Sequence, residues 1–169
     1  MTDANLTSAL SEAVLIQNEA LGAYAIWKFG LGFQDIEGRA ATLPLSFLIL
    51  PLVLHAPTLA IVLSTQKASG LHLFAGKLGE KRENLIAIHN RAIALRQCTL
   101  ESLMRAEQSS LIRIDPAEAT LWAVGLNDDK SVPLLPERIR RIGMACERIG
   151  YWFASVSDQQ IVRTLKVEF

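Results

Sequence analysis

The chain of 169 residues carries 17 basic and 17 acidic side chains, is 50% hydrophobic, and holds two cysteines and three histidines. That length suits one domain, or two very small ones, with enough chain to bury a real core. Zero net charge and half apolar content exclude an intrinsically disordered chain and argue against a globally basic nucleic-acid binder. Cys98 and Cys146 stand too far apart, and are too few, for a disulfide framework, and fit a reducing cytosol.

Taken in chain order, Thr7–Gln17 and Glu19–Gly30 read as helices joined at Asn18, a good N-cap. Gly30 and Gly32 are expected to end the second helix, with Gln34–Ala41 as a polar connection. Between Arg39 and Lys67 lie 27 residues without a formal charge, a run long enough to pass for a membrane span. Pro44, Pro51 and Pro57 interrupt it, each removing a backbone donor that lipid cannot replace, and no basic cluster flanks it. The run is therefore expected to form two short buried helices, Leu45–Leu54 and Thr58–Leu63. No signal peptide is expected at the N-terminus, and the reading is a cytoplasmic protein without membrane contact.

Ser64–Gly70 reads as a loop and Leu71–Leu78 as a short helix. Leu85, Ile88, Ala92 and Leu95 recur at helical spacing across Lys81–Arg96. Thr99 is placed to cap a following helix whose Leu100, Leu103 and Met104 are expected to face inward. The period then changes. Leu111–Ile114 and Ala119–Val124 form β-type runs joined by the turn Asp115-Pro116-Ala117-Glu118. Gly125–Pro133 is a polar loop. A long helix starts at Pro136, with Ile139, Ile142, Cys146, Ile149 and Phe153 on one stripe. Ser157 and Gln160 form a capping box for a last helix, before an extended Lys166–Phe169.

The fold class expected is mainly α with a small β-hairpin, a winged-helix-like α+β domain whose Lys81–Val124 supplies helix, helix and wing. The chain reads as a single domain over 1–169, with a division into a helical N-terminal region (residues 1–66) and a winged-helix-like region (residues 67–169) left open.

No catalytic constellation is found. His55, His72 and His89 make no zinc-ligand spacing, so no metal is expected, and Cys146 on an apolar stripe reads as a buried small hydrophobe. Gly70–Leu78 only superficially resembles a phosphate loop: five residues separate its glycines, and Leu78 replaces the Mg²⁺-binding hydroxyl. The reading is a protein that is not an enzyme and carries no cofactor. Charge is uneven: residues 67–105 carry a net +4, and Arg138, Arg140, Arg141 and Arg148 cluster on the long C-terminal helix. Arg105, Arg138, Arg141 and Arg148 are the candidate partner- or DNA-binding residues, the last three along one helix side. Ser102, Arg105 and Glu107 would be the outward positions of a recognition helix. Trp27, Trp122 and Trp152 read as core or interface anchors.

Several stretches together resemble the middle component family of bacterial three-component ABC systems (ABC-3C). These are "NEALGAYAIWKFGLGFQ" from Asn18, "LPLSFLILPLVLHAPT" from Leu43, "SGLHLF" from Ser69, "NRAIALRQCTLESLMRAEQSSLIRID" from Asn90, "RIGYWFA" from Arg148 and "IVRTLKVEF" at the C-terminus. The resemblance implies a small non-enzymatic adaptor linking an SMC-like ABC ATPase to an effector or sensor protein, in defence against phage and other invading DNA. It leaves room for a homodimer and for DNA contact that is indirect. The competing reading is a winged-helix transcriptional regulator using Thr99–Gln108 as its recognition helix.

Overall fold

The structure is a computed structural model that describes residues 18–126 and 134–168. The helix expected over Thr7–Gln17 and most of the loop Gly125–Pro133 lie outside the described residues. Asn18 begins the described chain as expected, its side chain accepting from the Leu21 N–H at 3.0 Å.

Helix α1 (Glu19–Glu37) runs well past Gly30 and Gly32 and stops only at Gly38, a left-handed residue (φ 60°) whose N–H donates to Gln34 O. Gly30 and Gly32 are packing residues rather than stops. A Cβ on Gly32 would stand 2.0 Å from Glu147 O, and one on Gly30 would stand 2.7 Å from the Ala123 Cβ. The supposed polar connection therefore begins as the last turn of α1. There the Gln34 side chain donates to Ala123 O (3.1 Å) and accepts from Ala123 N–H (2.6 Å), filling the place of a strand neighbour.

After strand β1 (Ala41–Thr42) the uncharged run folds as a 3₁₀ turn, Leu43–Leu48, then α2 (Ile49–Val53) and α3 (Ala56–Ser64). Pro44 and Pro57 occupy the first turns of their helices, where no intrahelical donor is lost. The two halves bend by 102°, and among the described residues no single helix is long and apolar enough to cross a membrane. Leu45, Leu48, Ile49, Leu50 and Leu52 are wholly buried within the fold.

A short 3₁₀ turn (Lys67–Ser69), in place of the expected loop, leads to α4 (Gly70–Gly79), α5 (Arg82–Ala94) and α6 (Arg96–Gln108). Helix α6 begins three residues before the expected cap, so Thr99 lies inside it. Its buried face is Thr99, Ser102, Leu103 and Ala106, whereas Leu100 and Met104 are 39% and 60% exposed. Small side chains face inward because α1 approaches closely: a Cβ on Gly22 would meet Ser102 Oγ at 1.9 Å.

Strands β2 (Ile112–Asp115) and β3 (Thr120–Ala123) form the expected hairpin, with Asp115 Oδ1 accepting from the Ala117 and Glu118 N–H groups. The sheet has a third strand, in the order β1-β3-β2 and antiparallel throughout, with Ala41 opposite Leu121. The mainly α fold with a small β element thus stands, enlarged by one strand.

Helix α7 (Glu137–Ala154) crosses α1, and α8 (Asp158–Leu165) follows. Ile142, Cys146, Ile149 and Phe153 are fully or almost fully buried, and Ile139 packs against the core from its edge. Ser157 caps α8 by accepting from Gln160 N–H, but the Gln160 side chain reaches His72 rather than closing the capping box. One apolar cluster runs from Leu21 to Val167, including the edge-on Phe29–Phe153 pair and the stacked Phe74–Trp152 pair.

Two substitutions separate packing from propensity. Gly150→Ala would place its Cβ 2.2 Å from Phe29 O, so it should lower stability by about 3 kcal/mol or more in chemical denaturation. Gly76→Ala, in α4 with nothing within 4 Å, should be neutral or stabilising by about 1 kcal/mol. Equal effects at the two positions would refute the close crossing.

Candidate functional site

An open groove of about 510 Å³ lies between the 3₁₀ turn, α5 and the residues after α8. Leu43, Pro44, Phe47, Leu48, Ala92, Ile93, Ala119 and Val167 line it, with His89, Arg96 and Glu168 as its polar members. Local structure places each wall. The Leu43 N–H donates to Ala119 O at 2.7 Å, tying the turn to the hairpin end, where Ala119 itself has a positive φ of 50°. Lys166, left-handed at φ 53°, turns the chain so that Val167 is buried and the Glu168 N–H donates to His89 Nδ1 at 3.3 Å. That bond leaves the imidazole proton on Nε2 when the ring is neutral.

Ile93, 62% exposed, stands on the rim. The apolar floor with a few polar groups at its edge suits aliphatic or aromatic side chains of another molecule. Sequence reasoning missed this groove. Its signal was Ile93, an apolar residue outside the stripe of Leu85, Ile88, Ala92 and Leu95.

The four candidate arginines separate into two kinds. Arg148 Nη1 donates to the backbone carbonyls of Val62 (3.1 Å), Leu63 (2.9 Å) and Thr65 (2.7 Å), closing the C-terminal end of α3. This satisfies carbonyls that the helix leaves without partners and places a cation at the negative end of the helix dipole. Arg148 thus does not share an open helix side with Arg138 and Arg141, which are exposed on α7. Arg105 is exposed on α6 but forms an ion pair with Glu19 of α1. Ser102, expected to face outward, is fully buried and donates to Cys98 O. Glu107 accepts from the Ile114 N–H at 3.3 Å, covering a donor on the edge strand.

The histidines are engaged separately: His55 Nδ1 with Thr58 Oγ1, His72 with Gln160 and His89 with the Glu168 backbone. Among the described residues no three His, Cys, Asp or Glu side chains gather as a metal site. Trp27 and Trp152 are buried, donating through Nε1 to Val124 O and Lys67 O, both at 2.9 Å. Trp122 is 36% exposed on the hairpin, opposite Arg113.

Burial pushes the Cys146 thiol far above its usual range, and burial followed by nearby acidic groups raises Cys98 to a lesser degree. Neither cysteine has the lowered pKa of a reactive thiolate.

A family model described as ABC-three component (ABC-3C) system Middle Component 3 matches residues 7–169. No curated protein and no solved structure matches the chain.

Arg148→Met should cost on the order of 3 kcal/mol, since it removes charge-assisted bonds to three carbonyls, whereas Arg141→Glu should change stability by about 0.5 kcal/mol or less. Denaturation midpoints check both, and equal costs would remove the distinction between the two arginines. A thiol reagent should modify Cys98 slowly and Cys146 only on unfolding. The raised Cys146 pKa also has a definite sign for stability: above about pH 8.5 the unfolded thiol loses a proton that the folded one keeps, so stability falls as pH rises.

Proposed function

The chain belongs to the ABC-3C system middle component 3 family, and from that membership we propose that it is a non-enzymatic adaptor. It would join the SMC-like ABC ATPase of such a system to the effector or sensor protein, in the cytoplasm, in defence against phage and other invading DNA. The observation that carries this reading is the open apolar groove beside α5, whose walls Leu43, Pro44 and Phe47 come from the uncharged run. Apolar area left open after a core of this size is complete is the usual mark of a protein-binding surface.

The helix, helix, hairpin order of α5, α6, β2 and β3 is compatible with a winged-helix-like unit, and small units of that kind bind SMC-like ATPases. That step is made by analogy. A transcriptional regulator reading bases through α6 is less well supported. The outward face of α6 balances Arg96 and Arg105 with Glu101 and Glu107, Arg105 is held by Glu19, and Ser102 is buried. Arg138 and Arg141 on α7 are the cations assigned to an acidic stretch of a partner, or to DNA that the assembled system holds.

Co-expression of the three components should yield a complex that retains this chain through purification. Ala92→Trp, which fills the groove from a half-buried position, should remove at least one partner while the purified variant keeps its thermal midpoint within about 2 °C. A wild-type chain that co-purifies with neither partner would contradict the adaptor reading. Unchanged retention of Ala92→Trp would place the contact elsewhere.

A further inference from the structure

The exposed face of α6 carries a second apolar feature, separate from the groove floor. Leu100 and Met104 are 39% and 60% exposed and one turn apart, and Ile93 at the end of α5 is 62% exposed. Only Leu95 (φ −93°, ψ 4°) separates the two helices: its N–H closes α5 by donating to Arg91 O, and its carbonyl opens α6 by accepting from the Thr99 N–H, both at 2.9 Å. Leu100 and Met104, four residues apart on α6, form a short apolar seam of the kind that packs helix on helix.

The charges on this seam are arranged by position. Arg96 stands at its N-terminal end and Glu107 at its C-terminal end, both exposed and both within the same third of the α6 circumference as Leu100 and Met104. A helix with a cation at its start, apolar residues in the middle and an anion at its end is complementary to itself when turned around. Antiparallel pairing sets Leu100 against Met104 of the other copy and Arg96 beside the other copy's Glu107, twice by symmetry. It also opposes the two helix dipoles favourably. A parallel arrangement would bring like charges together at both ends.

We propose that α6 is a self-association surface, and that a second copy of this chain docks on it antiparallel through Leu100 and Met104, with Arg96 and Glu107 of opposite copies paired at the ends. This face lies on the outside of α6 and borders the groove at Arg96, which lines both.

The test is sedimentation equilibrium of the full chain over a concentration series. The wild type should reach a mass of twice 18.6 kDa, and Met104→Glu should weaken the dimer about thirtyfold. Arg96→Glu alone should also weaken it, by like-charge contact with Glu107, and the double variant Arg96→Glu with Glu107→Arg should restore it. The rescue excludes simple misfolding as the cause of the Arg96→Glu loss, and an unchanged thermal midpoint excludes it for Met104→Glu. A wild type that stays monomeric throughout overturns the proposal. So does a double variant no better than Arg96→Glu, or a Met104→Glu chain that dimerises as tightly as the wild type. If the chain is monomeric and Met104→Glu instead releases another component of the system, the face belongs to that partner.

Discussion

Backbone-to-backbone contact between α1 and α7 sets the geometry of the whole molecule. Gly32 lies against the carbonyl of Glu147, and Gly150 lies against the carbonyl of Phe29 and the amide of Phe33. No side chain fits between them. At that spacing the large residues on either side, Phe29, Phe33 and Phe153, interdigitate instead of holding the helices apart. The same device recurs where Gly22 meets Ser102 of α6 and where Gly143 meets the Tyr24 ring. Helix α1 is thus a central rod, with α7 on one side, α6 on another, and β3 resting on Gly30.

The remaining elements hang on this rod by polar clamps that span long sequence distances. Gln34 holds the end of β3, Trp27 holds Val124, and Arg148 gathers the carbonyls that end α3. Arg91 donates to Pro51 O, fixing α5 against the bent hydrophobic run. With these ties made, the hydrophobic run completes the core with Leu45 to Leu52 and still presents Leu43, Pro44 and Phe47 at the surface. That surplus forms one wall of the groove. An α5 held at this distance supplies the other. The proposed partner site is therefore a consequence of where the run stops being needed for the core.

What the sequence made legible follows the range of the physics involved. Helix α7 could be read directly because its stripe repeats at 3.6 residues over five positions, and the hairpin because Asp115 closes its turn locally. Gly30 and Gly32 could not be read correctly. A glycine that ends a helix and one that admits a neighbouring helix look alike until the neighbour is known. Thr99 was misread for a related reason: a cap and a small buried contact use the same residue type. Strand β1 is two residues long and exists only because β3 lies beside it. Arg148 repeats the helical spacing of surface arginines, yet it reaches carbonyls more than eighty positions away in the chain. The candidate groove was legible only as an excess of apolar residues, because its walls come from three distant segments.

Native-state hydrogen exchange measures the central claim, that the glycine-mediated crossing of α1 and α7 is the most stable region of the molecule. The slowest amides should be those of residues 25–33 and 145–153, opening only with global unfolding, while α4 and α5 exchange sooner through local opening. If the amides of α1 exchange ahead of those of α5, the crossing does not organise the fold and the central claim is wrong.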